Sequence, residues 1–474
     1  MGLIEELAGL IGAEAVLTAP ADLEGATEDW RGRYRGTALC LVRPANTEEV
    51  AAVVRCCRDH GVPILPQGGN TSLCGGAVPP SDGPAPVILS LTRMRTIRAI
   101  DPVNNTIEVE AGAILATVQE AAAEAGRLYP VSLGAEGSCQ IGGTIATNAG
   151  GTSVLRYGNT RDNVLGLEVV LADGTVWNGL YGLRKNNTGY DLKHLFIGSE
   201  GTLGVVTAAV LKLHPLPKRH ATAWVSLSSP IAALQLLTMV QESCGSRLSA
   251  FELMNQLQLD LVIRHVPGRR SPVETSGGWH VLIELADSGD ADDLDAAMQA
   301  MLERAYGDEL LVDATIAASE AQRNAMWDVR HSVSEANKKG GVGLTTDCAV
   351  PLSAVPAFIE AATAAVRAVV PDLPVIIVAH MGDGNVHFIP FFSFDAWRAA
   401  GDTDALAATI RKAVNDEAAR LKGTFSAEHG VGGVLVPEMA RYKPAAELTL
   451  MRAVKQALDP QGLFNPGRLL PPAS

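Results

Sequence analysis

Three glycine-rich loops in the first 204 residues constrain this chain more than any other feature. They read "PQGGNTSLCGG" (66–76), "GAEGSCQIGGTIATNAGG" (134–151) and "GSEGTLG" (198–204). Glycine permits positive φ and close backbone approach, so consecutive N–H groups can be aimed at one anion. None of the three carries the Gly-Lys-Ser/Thr of a Walker loop, and none is a Gly-x-Gly-x-x-Gly opening a helix after a first strand. One such loop alone is more often a turn. Three in one region, two of them bearing Asn, Thr and Ser donors, favour a long phosphate-containing cofactor.

Around these loops the pattern alternates strands and helices. "NTEEVAAVVRCCRDHG" (46–61) begins with a cap-like Asn-Thr, keeps helical spacing and stops at Gly61. "VLGLEVVLADGTVWNG" (164–179) reads as a hairpin on Asp173-Gly174. Two prolines in "LKLHPLPKR" (211–219) mark a boundary. Beyond it, helical patterns at 231–243, 291–306 and 353–369 alternate with strands such as "HVLIEL" (280–285), and "VETSGG" (273–278) reads as a mobile surface loop.

Within this second half, "AHMGDGNVHF" (379–388) sets two histidines about an Asp-Gly step between β-branched, apolar runs. A two-residue turn at Asp383-Gly384 would place His380 directly opposite His387 on one face of the hairpin. Such a pair serves equally as two ligands of one ion or as a polar pair on a solvated face.

The balance of 52 acidic to 38 basic residues gives −14, which argues against nucleic acid as a partner. Seven scattered cysteines without a Cys-x-x-Cys pair fit free thiols in a reducing compartment. "MGLIEELAGLIGAEAV" has neither signal-peptide nor Arg-rich transit character, so a cytoplasmic location is expected. No transmembrane segment is expected either, since no apolar run approaches the ~18–20 residues of a spanning helix.

The loops become specific when taken with their neighbours. "PQGGNT", "IGGTIATNAGG", "RYGNTRDNVLGLEVVLADG", "NNTGYDLKHLFIGSEGTLGVVT", "GDGNVH", "SAEHGVG" and "LDPQGLFNPGR" resemble the FAD-binding type 4 oxidoreductases. These are the vanillyl-alcohol oxidase-like flavoproteins, with D-lactate and D-2-hydroxyglutarate dehydrogenases as one branch. The resemblance spans nearly the whole chain. It implies an α+β architecture: a two-part FAD-binding domain of the vanillyl-alcohol oxidase (PCMH) type, plus an α/β substrate or cap domain with an antiparallel sheet. The expected divisions are 1–218 for the FAD domain, 219–425 for the cap, and 426–474 as a C-terminal segment returning to the FAD domain.

The resemblance also implies the site. Pro66, Gly68, Gly69, Asn70 and Thr71 would form the pyrophosphate loop. Gly75, Gly134, Gly137, Gly142, Gly143, Asn148, Gly150, Gly204, Val205, Val206 and Asn465 would line the flavin. Position 70 is Asn where a histidine would be one attachment point, so FAD is expected to be non-covalent. His380, His387 and Glu428 would hold a divalent ion, with Zn²⁺ suiting the set and Mn²⁺ or Fe²⁺ as alternatives. His429 would be the general base, serviceable only if the chain is irregular there, as Gly430 and Gly432 allow.

For the substrate, Arg330 in "MWDVRHSVSEA" would grip a carboxylate, with Ser334 one turn on. Hydroxyglutarate enzymes carry Lys-x-Asp where this chain has Thr345-Thr346-Asp347, and an Asn where Ile389 sits. Losing that lysine and amide points to a D-lactate-like or larger apolar monocarboxylate, with D-2-hydroxyglutarate as the alternative. A flavin-bearing electron-transfer or binding subunit is the reading from another class. An electron-transfer flavoprotein, a quinone or a similar acceptor would take the electrons, and a homodimer is one assembly to expect.

Overall fold

Local signals in the sequence set the ends of the elements. Asn46 accepts the Glu49 N–H at 2.8 Å and caps the helix Thr47–Asp59, which stops just before Gly61 at φ +65°. Strands Val164–Val170 and Val176–Gly179 pair antiparallel around the Asp173-Gly174 turn, where Gly174 takes φ +83°. The computed structural model describes residues 2–289 and 294–472. The chain divides into two compact units.

The first unit comprises Met1–Gly150, Tyr157–Leu216 and Glu428–Ser474. It holds two larger sheets. One has four strands in the order Val16–Leu17, Cys40–Val42, Val87–Ser90, Ile64–Gln67, its last three parallel. The other is antiparallel, in the order Ile97–Asp101, Thr106–Glu110, Val205–Lys212, Val164–Val170, Val176–Gly179. Their β-branched residues share one core with the Thr47–Asp59 helix and with Leu463 and Phe464 of the tail.

The second unit comprises Gly151–Arg156 and Pro217–Ala427. Its sheet has eight strands. The order is Asp313–Ile316, Arg219–Leu227, Trp279–Asp287, Leu248–Asn255, Val375–His380, Asn385–Phe392, Val342–Gly343, with Thr346–Ala349 also on Asn385–Phe392. All these pairings are antiparallel, so side chains alternate between two layers. Helices Pro230–Cys244, Leu294–Gly307, Val355–Val369 and Thr403–Arg420 cover one face. Gln256–His265, Glu320–His331 and Val333–Gly340 cover the other. Residues 291–293 of the expected 291–306 helix lie outside the described set.

Three expectations change. Leu352–Val369 does reach the length and hydropathy of a spanning helix. Its apolarity is accounted for by Val355, Phe358, Ile359, Ala362 and Val366, which sit at helical spacing and are buried in the unit's core. The 273–278 loop is pinned: Glu274 and Thr275 donate to Asp313 Oδ2 at 2.9 Å each, and Gly277 to Ser226 Oγ at 2.7 Å. The histidine hairpin is shifted as well. His380 pairs with Asn385, and His387 with Val378, around a four-residue loop from Met381 to Gly384. Only Gly384 takes positive φ, at +82°, while a two-residue turn of this type needs it at both central positions. The histidines still share a face, because a shift of two residues keeps the alternation; they are diagonal neighbours.

Candidate functional site

The hairpin presents its imidazoles to carboxylates on the flanking strands. Glu252 of Leu248–Asn255 lies directly opposite His380 in register, and the His380 Nδ1–H meets Glu252 Oε1 at 2.8 Å. Asp347 of Thr346–Ala349 lies directly opposite His387, with Oδ1 3.6 Å from His387 Nδ1. His380 thus bonds an acid through Nδ1, and His387 stands 3.6 Å from one. The rings stand edge-on, centroids 5.4 Å apart at 82°. Asp347 is itself fixed by Asn385 Nδ2 at 2.9 Å and by the Ala427 N–H at 3.2 Å. A pocket lined by Thr152, Leu155, Phe251, Glu252, His380, Gly382 and Asp383 opens beside this row.

Glu252 also takes Arg330. Both Nε and Nη2 of the guanidinium lie 2.8 Å from Glu252 Oε2. Burial alone would raise the Glu252 carboxyl, but His380 and Arg330 outweigh it and hold it below the usual carboxylate range. Arg330 thus spends its side edge on Glu252, and Nη1 lies on its other, end-on edge. Arg323 and Trp327 lie on the same face of the Glu320–His331 helix. They bind a second buried acid, Glu284, through Arg323 Nε at 2.7 Å and Nη2 at 3.0 Å, and Trp327 Nε1 at 2.8 Å. Burial would raise Glu284, yet the hydrogen bonds from His220, Arg323 and Trp327 bring it down to about 2.

Of the other expected substrate residues, Ser334 and Thr345 are exposed. Ile389 is buried among Ile376, Val378 and Phe391, on the layer that also carries His387. Phe388 packs in the opposite layer against Phe358, with ring centroids 6.0 Å apart.

In the first unit the glycine loops separate into two kinds. A Cβ on Gly69 would lie 2.1 Å from the Ser138 carbonyl, one on Gly142 3.0 Å from Ala111 Cβ, and one on Gly204 2.8 Å from Val169 Cγ1. These glycines serve close packing of protein on protein, whereas a Cβ on Gly68 would make an ordinary 3.5 Å contact with Gly143. By contrast, a Cβ on Gly134, Gly137 or Gly143 would meet nothing within 4 Å. Asn70 (φ +52°) spends its amide on the Gly25 and Glu28 carbonyls at 3.1 and 2.8 Å, which fixes the loop's shape. Gly75 takes φ +66°, and Asn148 takes φ +49° while accepting the Arg161 N–H at 2.9 Å. Pro66 closes against Gly201 at 3.3 Å, Thr71 is half-buried, Gly150 ends this unit's first segment, and Val205 and Val206 are buried at the start of their strand.

Glu428 and His429 follow Ala427 in a stretch without regular structure. Glu200 shapes the turn that follows. Its buried carboxylate accepts the N–H groups of Val431 at 2.7 Å and Gly432 at 2.6 Å, and burial raises its pKa. Asn465 (φ +41°) brings the tail to the same loops, donating to the Gly76 and Glu200 carbonyls at 3.1 and 2.8 Å.

Glu200, Glu252, Glu284 and Asp347 were missed as site candidates in the sequence. One signal was available: "AFELMN" and "HVLIEL" each set a lone acid in an apolar strand, which is costly unless paired. The first unit offers an open backbone cradle at Gly134, Gly137 and Gly143. It also has a buried acceptor, Gln140 Oε1, with no hydrogen-bond partner among the described residues. Both fit a bound dinucleotide. Two neighbouring imidazoles, one of them bonded to a carboxylate through Nδ1, are donors that suit a divalent transition metal.

Comparison with known proteins gives the family and the fold. Residues 38–179 match an FAD binding domain, and residues 216–469 match the C-terminal domain of FAD linked oxidases. The chain is 39% identical to a mitochondrial D-2-hydroxyglutarate dehydrogenase of Bos taurus, over 96% of this chain and 81% of the relative. It is 38% identical to a D-2-hydroxyglutarate dehydrogenase of Xanthomonas citri pv. viticola, over 95% and 93% respectively. The structure of p-cresol methylhydroxylase shares the fold, with a TM-score of 0.74 at 17% identity, covering 98% of this chain and 96% of that one. The expectation of a cytoplasmic location is overturned, because relatives that match along nearly the whole chain are named mitochondrial. Charge and thiol count describe a folded protein and do not encode its compartment. By its matched domains and its fold, the chain belongs to the FAD-linked oxidase family, an FAD-dependent oxidoreductase with the FAD binding domain in its first half and the family's C-terminal domain in its second.

Proposed function

We propose that this protein is a dehydrogenase of D-2-hydroxy acids that also uses a divalent metal, Zn²⁺ by its ligand chemistry. The observation that carries the reading is the row Arg330–Glu252–His380, beside His387–Asp347, on one face of the second unit's sheet. It combines a guanidinium with two imidazoles, of which His380 bonds an acid through Nδ1 and His387 stands 3.6 Å from Asp347. The names of the relatives support the substrate class.

The glycine loops would hold FAD non-covalently, and the flavin would supply the hydride acceptor when bound. His380, His387 and Glu428 would hold the divalent ion, which would supply Lewis acidity when bound. The remaining work belongs to the chain. The end-on edge of Arg330 binds the C1 carboxylate and fixes the substrate's orientation. His429 takes the hydroxyl proton while Cα loses a hydride, so two electrons and two hydrogens leave and a 2-oxo acid remains. Electrons pass onward to an electron-transfer flavoprotein, a quinone or a similar acceptor.

Within the class, Thr345 and the core-facing Ile389 provide no charge for a distal carboxylate. This favours monocarboxylates, although the relatives are named for hydroxyglutarate. The test compares kcat/KM for D-lactate, D-2-hydroxybutyrate, D-phenyllactate and D-2-hydroxyglutarate under one dye acceptor, with and without chelation. The monocarboxylates should lead by roughly tenfold or more, the worth of one charge-assisted bond. Undiminished turnover in metal-free protein would remove the metal from the reading, and a clear lead for the dicarboxylate would reverse the specificity.

A further inference from the structure

We infer that Glu252 is the positioning residue that ties substrate binding to metal binding, one carboxylate holding both Arg330 and His380. The inference rests on the reading of His380 as a metal ligand and Arg330 as the carboxylate grip. Glu252 is 2% exposed and divides its two oxygens: Oε1 takes His380 Nδ1 at 2.8 Å, and Oε2 takes Arg330 Nε and Nη2 at 2.8 Å each. The strand register enforces the first bond, because Glu252 and His380 are directly paired across adjacent strands. The second bond reaches up from the sheet to the Glu320–His331 helix.

Two consequences follow from the chemistry of a carboxylate. An Nδ1–H bonded to Oε1 fixes the tautomer in which Nε2 carries the lone pair a metal requires. A guanidinium bonded along its side edge cannot swing, so its end-on edge points one way. Both properties come from a single side chain with two acceptor oxygens. Glutamine has the same shape and only one acceptor. In Glu252→Gln the amide NH₂ must face either the imidazole N–H or the guanidinium, donor against donor. One of the two partners must therefore let go.

The experiment uses the FAD-loaded enzyme. Zn²⁺ affinity is measured by competition with a chromophoric chelator. KM and kcat for D-lactate are measured at saturating Zn²⁺, with flavin absorbance and thermal melting as checks of folding. Glu252→Gln should weaken Zn²⁺ binding roughly ten- to hundredfold, or raise KM at least fivefold with a smaller change in kcat, or both. Zn²⁺ affinity and KM both within twofold of the unaltered enzyme would overturn the inference. His380→Ala is the control: if it too keeps full Zn²⁺ affinity, the metal reading itself has failed rather than the role of Glu252. Should Glu252→Gln not fold, ring ¹⁵N spectra of the unaltered, metal-stripped protein decide. The His380 resonances, assigned by their loss in His380→Ala, should show a proton on Nδ1, and a bare Nδ1 overturns the inference.

Discussion

At the scale of single residues, Gly69 and Gly143 make opposite predictions although both lie in glycine-rich loops. A methyl group on Gly69 would sit 2.1 Å from a backbone carbonyl, so Gly69→Ala must displace the loop. We expect it to destabilise the first unit by about 1–3 kcal/mol, as overpacking does, in the melting of flavin-free protein. Gly143→Ala meets no protein atom. It should leave the melting of flavin-free protein unchanged while weakening FAD binding at least tenfold, read by fluorescence titration. Equal effects of the two on apo-protein stability would show that the open cradle is misplaced. The glycines and the histidines were legible because their chemistry is written in contiguous motifs. Glu252 was not, because its partners lie 78 and 128 residues away and meet it only through strand register and helix packing.

At the scale of elements, the Glu320–His331 helix is fastened to the sheet by acids it does not contain. Arg323 and Trp327 hold Glu284, and Arg330 holds Glu252. Glu284 carries a prediction about pH. Its folded pKa of about 2 lies below the ordinary value of 4.5, so between the two the unfolded chain binds the extra proton. The stabilisation is fully present above about pH 4.5 and is lost as pH falls through about 2. The shift corresponds to roughly 3 kcal/mol in full. Urea unfolding at pH 6 and pH 3 should show the unaltered protein losing about 2 kcal/mol more than Glu284→Gln. Parallel losses in the two would refute this. The histidine hairpin shows the limit of sequence at this scale. Asp-Gly signals a turn, but the dipeptide suits longer loops as well as two-residue ones, so the register of a neighbouring strand decides the pairing.

At the scale of the whole molecule, the α+β class with an antiparallel sheet in the second half was legible from the alternation of patterns and from family motifs. Strand order was not, because every pairing in the eight-stranded sheet outside the histidine hairpin joins segments distant in sequence. Two bulk measurements separate the cofactors. Acid precipitation should release all flavin into the supernatant, and flavin left on the pellet would show a covalent bond. His380→Ala should abolish hydroxy-acid turnover while leaving the flavin absorption spectrum intact, and loss of the flavin spectrum would mean that the histidine acts on the fold instead.

The tail has a consequence for how the protein is made. Ile64–Gln67 is the terminal strand of its sheet, and the free side of Ile64 is bridged by Phe464, with the Ile64 N–H bonded to the Leu463 carbonyl at 2.8 Å and the Asn465 N–H to the Ile64 carbonyl at 2.8 Å. Some 400 residues of synthesis separate the two, roughly 20–80 s at ribosomal speed. Throughout that interval the nascent chain carries an open strand edge, the kind of surface that recruits other strands. The same tail residue, Asn465, clamps the Gly76 and Glu200 loops, so those loops are fastened only once the ribosome has passed it. Any ligand that needs those loops fastened can therefore be held only after the second unit has been translated.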